Sequence, residues 1–216
     1  MHPGIRRAFT LIELLIVVAI IAILAAIAVP NFLEAQVRSK VSRVKADMRS
    51  LATGIEAYAV DYSHYPANRM GSKANGVAQV RNCFEMTTPV AYMTSVDIKD
   101  PFSPDKNFAG VPGTAYPPPY SIFYQNFEQG SGWMQWQTPF TAGLANLNLK
   151  CFYLESWGPD RTQGYIDWWV LRPYVTGGTS ATVDEVYDPT NGTISRGDIG
   201  RLGGESPPEA TAVLNR

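Results

Sequence analysis

Residues 9–29 form an apolar run in which Glu13 is the only charged residue, and residues 14–29 are uninterrupted aliphatic side chains. A helix needs about 20 apolar residues to cross the hydrocarbon core of a bilayer, so this run is long enough to span a membrane. Arg6 and Arg7 precede it, and the positive-inside rule keeps such residues in the cytoplasm. The apolar region of a secretory signal peptide, the alternative, is shorter, at about 7–15 residues. We therefore predict a single-pass helix with a cytoplasmic leader and an exported body.

Helical periodicity continues beyond the apolar run. Apolar residues recur at steps of three and four from Leu33 to Tyr62, which predicts one continuous helix from Phe9 to Tyr62 with an amphipathic second half. Pro30 lacks a backbone N–H and is expected to kink or locally melt it. Pro66 is expected to end it. Such a helix is about 80 Å long, so its first half needs lipid or identical neighbours, whereas its second half can pack on the body.

The charge is divided along the chain. Residues 1–57 contain 7 Lys and Arg against 4 acidic residues, a balance of +3, and residues 58–216 contain 11 against 15, a balance of −4. The total of −1 argues against a general nucleic-acid-binding protein, which usually has a basic excess.

The body, residues 65–216, is rich in aromatic and turn-forming residues. We predict a loop layer with short elements over residues 67–148, then an antiparallel sheet and C-terminal loops over 149–216. The β-prone segments are 151–154, 165–171 and 181–187. Strands laid over the second half of the helix would bury its apolar stripe from Val37 to Tyr58. The predicted fold class is therefore α+β, with a long N-terminal helix packed on a small sheet.

Catalytic motifs are absent from the sequence. It contains no G-x-S-x-G, Walker or H-E-x-x-H pattern, and His64 is the sole histidine after the leader. We predict that the protein is not an enzyme. Cys83 and Cys151 are the only cysteines, and an oxidising compartment would favour a disulfide between them over two buried free thiols.

Glu13 is costly inside a membrane, and intramembrane carboxylates are usually paired and functional. No Lys or Arg lies in the apolar run, so an ionic partner must come from elsewhere. Cleavage between Ala8 and Phe9 would create an α-amino group four residues before Glu13, and in a staggered assembly this group could meet the carboxylate of a neighbour. The alternative is that Glu13 lies in the headgroup layer without a role.

The segment from Arg7 to Leu14, R-A-F-T-L-I-E-L, follows a basic leader and precedes an aliphatic run and Pro30. It resembles the class III signal of type IV pilins and type II secretion pseudopilins. The resemblance implies that a prepilin peptidase removes residues 1–8 by cutting between Ala8 and Phe9, and that the same enzyme methylates Phe9. It also implies that Glu13 recruits and docks subunits. Ala8 departs from the glycine usual in the family.

Four regions follow from this resemblance. They are a cleaved leader at 1–8, a transmembrane and assembly helix at 9–30, an amphipathic helix at 31–64, and a periplasmic head at 65–216. The helix end, Tyr62-Ser-His-Tyr-Pro66, is similar to that of the major, G-type pseudopilins. We therefore expect a subunit of a type II secretion pseudopilus that drives protein export. The expected partners are copies of this chain, other pseudopilins, the prepilin peptidase and an inner-membrane assembly platform, with no nucleic acid.

Two other hypotheses remain. A type IV pilin would form extracellular fibres for adhesion, motility or DNA uptake, whereas a pseudopilus would stay in the periplasm. A membrane-tethered enzyme or binding domain that never polymerises would lose no function when Glu13 is changed to Gln.

Calcium is a further expectation, because major pseudopilins bind it in a C-terminal loop. Calcium takes six to eight oxygen ligands. The candidate ligands here are Asp160, Asp188, Asn191, Thr193 and Asp198. Their spacing lacks the D-x-D-x-D-G pattern of a self-sufficient site, and the same residues are ordinary turn formers. No other cofactor is expected.

Overall fold

The computed structural model describes residues 9–67, 83–103, 121–126, 150–161, 186–188, 190, 195 and 197–205. Its elements, in chain order, are the helix α1 (Leu11–Tyr62), a short 3-10 helix (Phe84–Met86) and the strands β1 (Phe123–Asn126), β2 (Cys151–Ser156) and β3 (Ile199–Gly204).

Helix α1 is capped at both ends. Thr10 is its N-cap and forms a capping box with Glu13. Ser63 ends the helix in the left-handed conformation with φ 60°, and its N–H donates to the carbonyl oxygen of Ala59 at 2.8 Å. The helix passes through Pro30 without interruption, so the expected local melting is absent.

The second half of α1 carries the core. Its buried residues are Val41, Val44, Met48, Leu51, Ala52, Gly54, Ile55 and Tyr58, and Val37 packs partly buried against them. This confirms the predicted stripe from Val37 to Tyr58. Leu33 remains 54% exposed, so the head covers the helix only from Val37 onward.

The sheet is antiparallel, in the order β1-β2-β3. In its register Leu154 of β2 faces Tyr124 of β1 on one side and Arg201 of β3 on the other. All six residues of β2 are buried. Since successive side chains of a strand point to opposite faces, both faces of β2 are covered, and Phe152 and Leu154 belong to the core cluster that contains the helix residues. One long apolar helix on a small antiparallel sheet confirms the predicted α+β, pilin-like fold.

The membership of the sheet differs in part from the prediction. β2 confirms the strand expected at 151–154, and β1 is a short element inside the expected loop layer. β3 was not predicted, because three of its six residues are glycines, which are depleted in strands. The expected strands at 165–171 and 181–187 lie outside the described residues, except that Val186 forms an isolated parallel bridge with Asp198.

Side-chain hydrogen bonds join the helix to both edge strands. The amide of Asn126 donates to the carbonyl oxygens of Tyr65 and Pro66 at 3.2 and 3.0 Å, just past the end of α1. On the other side, the backbone N–H of Gly204 donates to the Glu56 carboxylate at 2.9 Å. The helix end and the sheet are therefore one packed unit.

A buried carboxylate that sequence reasoning missed joins the loop at 97–103 to the end of β2. Asp100 is 3% exposed and accepts three hydrogen bonds, all at 2.9 Å, from Phe102 N, Ser156 Oγ and Trp157 N. Burial raises the pKa of Asp100 above its usual value, and these hydrogen bonds partly offset the rise. Its donors lie up to 57 residues away, so no local pattern could have identified it.

The cysteine prediction is corrected by the structure. Cys83 and Cys151 are both buried, and no disulfide joins them. An even number of cysteines carries no information on the Cα separation and Cβ directions that a disulfide requires. Burial raises the pKa of the Cys151 thiol to about 12, which keeps it protonated and unreactive.

Candidate functional site

The first half of α1, up to Leu33, is bare, meaning that the head does not cover it. Within the described part of the chain, one helix is long and apolar enough to cross a membrane, and none of its most apolar 18-residue window is buried. Large side chains from Leu11 to Leu33 are 47–79% exposed. A surface this apolar needs either lipid or protein around it. The structure thus places a membrane-spanning or subunit-binding rod directly before the head.

Glu13 lies in the first turn of this rod and has hydrogen-bond partners within its own chain. Its carboxylate oxygen Oε2 accepts from the backbone N–H of Thr10 at 2.9 Å and from the Thr10 hydroxyl at 2.8 Å. In return, the N–H of Glu13 donates to Thr10 Oγ1 at 3.3 Å. The carboxylate also lies at the positive end of the helix dipole.

Sequence reasoning missed this role of Thr10. The signal was present, since Thr10 and Glu13 are spaced T-x-x-E, the pattern of a capping box before an apolar run. Both partners of the carboxylate are neutral, so the pairing lowers the cost of holding a charge near the membrane without cancelling the charge. An ionic partner for Glu13 still has to come from another molecule or from a processed N-terminus.

The predicted peptidase cleavage would break the bond directly before Phe9, the first residue that the structure describes. Phe9 is 71% exposed and precedes the N-cap, so the backbone leaves the helix at this point. Ala8 and the leader lie outside the described residues. The predicted cleavage between Ala8 and Phe9 and the methylation of Phe9 therefore stay predictions.

The predicted calcium ligands are only partly described. Asp160 lies in the turn after β2, and the buried Asp198 pairs with Val186 in the bridge. One carboxylate oxygen of Asp188 accepts from the N–H and hydroxyl of Thr190 at 2.8 and 2.7 Å. The described residues contain no group of three or more His, Cys, Asp or Glu side chains that could hold a metal ion. Asn191 and Thr193 lie outside them, so calcium binding stays a prediction and we derive no role from it.

His64 follows the C-cap of α1 and is half-buried. Its Nδ1 lies 3.0 Å from the carbonyl oxygen of Tyr65. Its ring packs edge-on against the ring of Tyr58, with 5.7 Å between the ring centroids. These contacts describe a structural side chain at the helix end.

Fold and site together define a class: a chain in which an exposed apolar helix, long enough to cross a membrane, precedes a small α+β head. The N-terminal residues agree with this class, since residues 5–29 match the prokaryotic N-terminal methylation motif.

Comparison with known proteins extends the agreement into the head. The chain is 30% identical to the type IV major pilin protein PilA of Myxococcus xanthus, over 87% of this chain and 89% of that protein. It is 38% identical over 69 residues to the type II secretion system core protein G of Pseudomonas aeruginosa, which is 32% of this chain and 49% of that protein. It is also 51% identical over 58 residues to the type IV major fimbrial protein FimA of Dichelobacter nodosus, 27% of this chain and 37% of that protein. No solved structure matches.

The chain therefore belongs to the type IV pilin and pseudopilin family. Members of this family are structural subunits of pili or pseudopili.

Proposed function

We propose that this chain is the repeating subunit of a type IV pilus that extends from the cell surface. One observation carries the proposal: the match to a type IV major pilin covers 89% of that protein, head included. The match to the secretion core protein G covers 49% of its relative. This proposal reverses the preference for a pseudopilus that the helix end suggested.

Assembly uses the bare half of α1. After the peptide bond between Ala8 and Phe9 is hydrolysed and the new terminus methylated, the ammonium group of Phe9 replaces the leader. In a staggered array this group reaches the Glu13 carboxylate of a neighbouring copy. The neutral partner Thr10 then gives way to, or shares the carboxylate with, an ionic one. The apolar side chains that face lipid in the single subunit become buried against neighbouring helices.

A periplasmic pseudopilus is the second candidate, and the match to protein G supports it. In that case the head stays in the periplasm and acts with other pseudopilins and an inner-membrane platform in protein export. Both candidates share the same membrane-anchored precursor and the same assembly helix. They differ in whether the polymer extends beyond the cell surface, as a pilus does, or stays in the periplasm, as a pseudopilus does.

Mechanical shearing of native cells separates the two candidates. The chain is quantified by immunoblotting in the sheared filaments and in the washed cells, with an inner-membrane protein as the control for lysis. We expect most of the polymerised chain in the sheared fraction. Retention of all of it with the cells would refute the surface pilus and favour the pseudopilus. The N-terminus of the same material should begin at Phe9.

The role of Glu13 is tested with a matched pair of substitutions. Glu13→Gln removes the charge but keeps a side chain that can accept hydrogen bonds, whereas Glu34→Gln makes the same change beyond the apolar run, in an exposed ion pair with Arg38. We expect Glu13→Gln to abolish filaments while the processed subunit accumulates in the membrane, and Glu34→Gln to assemble normally. Filaments of normal abundance from Glu13→Gln would refute the assembly role.

A further inference from the structure

Five basic residues follow the membrane-spanning stretch within twelve positions of α1: Arg38, Lys40, Arg43, Lys45 and Arg49. Residues 31–49 contain only two acidic residues, Glu34 and Asp47, so the balance of this segment is +3. Residues 58–216 have the opposite balance, −4. The positive charge of the exported part is therefore concentrated where the helix leaves the membrane.

The cations in this segment differ in how they are paired. Arg38 forms an ion pair with Glu34, and Arg43 lies 3.7 Å from Asp47. Lys40 is exposed, and its ammonium group forms no ion pair or hydrogen bond with any other residue in the described part of the chain. Its ammonium group is open to a partner outside the chain.

The height of Lys40 above the membrane identifies that partner. The exposed apolar surface of α1 ends at Leu33. Lys40 lies seven residues after Leu33, which is about 10 Å along a helix. The headgroup layer beyond the hydrocarbon is about 5–8 Å thick on each side. Helical side chains tilt toward the helix N-terminus, here toward the membrane, and lysine extends its ammonium group to the polar layer.

We propose that Lys40, assisted by Arg38, binds the phosphate groups of anionic phospholipids in the leaflet that faces the head. The inference rests on the membrane-anchored state of the proposed function and does not depend on polymerisation. The head, residues 65–216, contains 11 Lys and Arg against 14 acidic residues, a balance of −3. It is therefore repelled by an anionic surface, and this basic segment offsets the repulsion at its base. Arg38 has donors to spare for a phosphate beside its bond to Glu34.

Arg49 provides a matched control within the same helix. It is exposed and carries the same charge, but it lies 16 residues after Leu33, or about 24 Å. That places it about two Debye lengths, of about 8 Å each, above the headgroup layer. Lys40→Gln and Arg49→Gln therefore remove equal charge at two different heights.

The experiment uses the full chain in nanodiscs of phosphatidylcholine with phosphatidylglycerol. Arg6→Gln and Arg7→Gln are included throughout, because the leader would bind anionic lipid on the opposite side. Electron paramagnetic resonance of spin-labelled lipids measures the association of phosphatidylglycerol with the protein relative to phosphatidylcholine. We expect a preference for phosphatidylglycerol that Lys40→Gln lowers about two- to fivefold, that Arg49→Gln leaves unchanged, and that about 1 M salt removes.

Three results would overturn the proposal. Equal effects of Lys40→Gln and Arg49→Gln would mean that height above the membrane is irrelevant. An unchanged lipid preference, with Lys40→Gln instead weakening self-association in detergent, would assign the cation to an acidic surface of a second copy. Release of the chain from the bilayer by alkaline carbonate would refute the membrane anchor itself, and with it the proposed function.

Discussion

Substitution of Asp100, whose carboxylate is buried, is the most direct test of how this head is held together. Asp100 is 3% exposed and satisfies three buried donors, which join the loop at 97–103 to the end of the central strand. In Asp100→Asn, one oxygen can still serve Phe102 N and Ser156 Oγ. The amide group then faces Trp157 N, leaving that donor without an acceptor.

The magnitude follows from counting donors. A buried donor left without an acceptor costs about 1–3 kcal/mol, so we expect Asp100→Asn to lower the free energy of unfolding by about that amount. Asp100→Ala leaves all three donors unsatisfied and should cost about 3–9 kcal/mol. Asp97→Asn is the control. Asp97 is exposed, and its Oδ1 accepts from Ser121 Oγ at 2.8 Å, a bond that the oxygen of Asn can keep. The substitution therefore removes only the charge that faces Lys99 on the surface, where such pairs are worth about 1 kcal/mol or less.

Guanidinium unfolding of the full chain in detergent micelles, followed by tryptophan fluorescence, measures all three variants. If Asp100→Asn is no more destabilising than Asp97→Asn, the reasoning about unsatisfied donors is wrong. The pH dependence gives a second readout, because burial holds the pKa of Asp100 above its ordinary value. The folded state then binds the proton more tightly than the unfolded state, so this contribution to stability is fully present below pH of about 4 and lost as the pH rises through the folded pKa. The difference between wild type and Asp100→Asn should therefore be larger at pH 4 than at pH 7.

Three further predictions concern the rest of the head. Cys151, whose pKa is raised to about 12, should not react with a disulfide reagent at pH 8 in the native protein. After unfolding without reductant, both Cys151 and Cys83 should react. If no thiol reacts after unfolding, the two cysteines form the disulfide that the sequence predicted. Gly197→Ala should lower the free energy of unfolding by about 1–3 kcal/mol or more in the same guanidinium assay, because a Cβ there would lie 2.0 Å from a backbone carbon of the facing segment; an unchanged midpoint would contradict this close approach. Tyr92 donates to the Asp61 carboxylate, which raises the pKa of its phenol to about 12, so Asp61→Asn should lower that pKa toward 10. The Tyr92 phenolate is measured as the absorbance difference between each protein and its Tyr92→Phe derivative. If Tyr92 titrates at the same pH with and without Asp61→Asn, the contact is refuted.

The helix could be predicted from the sequence because its signals are local and repeated. Apolar residues at steps of three and four over 30 positions leave few alternatives, and the run before them has the length of a membrane span. The family motif around Glu13 is equally local. The pairing of Thr10 with Glu13 was not predicted, because a carboxylate near the membrane was expected to pair with a cation.

The sheet was harder to predict for a physical reason. β1 has four residues, and β3 contains Gly200, Gly203 and Gly204. Gly203 is needed because the ring of Phe152 lies across it, where a Cβ would be 2.3 Å from the ring. A glycine required by a cross-strand aromatic side chain looks in the sequence like a turn former. Asp100 is similar, since its role depends on partners that only the fold brings close.

The continuity of α1 has a mechanical consequence. The helix runs unbroken from the bare assembly half into the core of the head, with no loop between them. In a filament under tension, force on the bare half therefore reaches the head along the backbone hydrogen bonds of a single helix. Pro30 has no backbone N–H, so one hydrogen bond of the helix is missing there. This makes Pro30 the most easily deformed point of the helix. We therefore expect tension to deform the helix at Pro30, below the head, before it strains the sheet and the core.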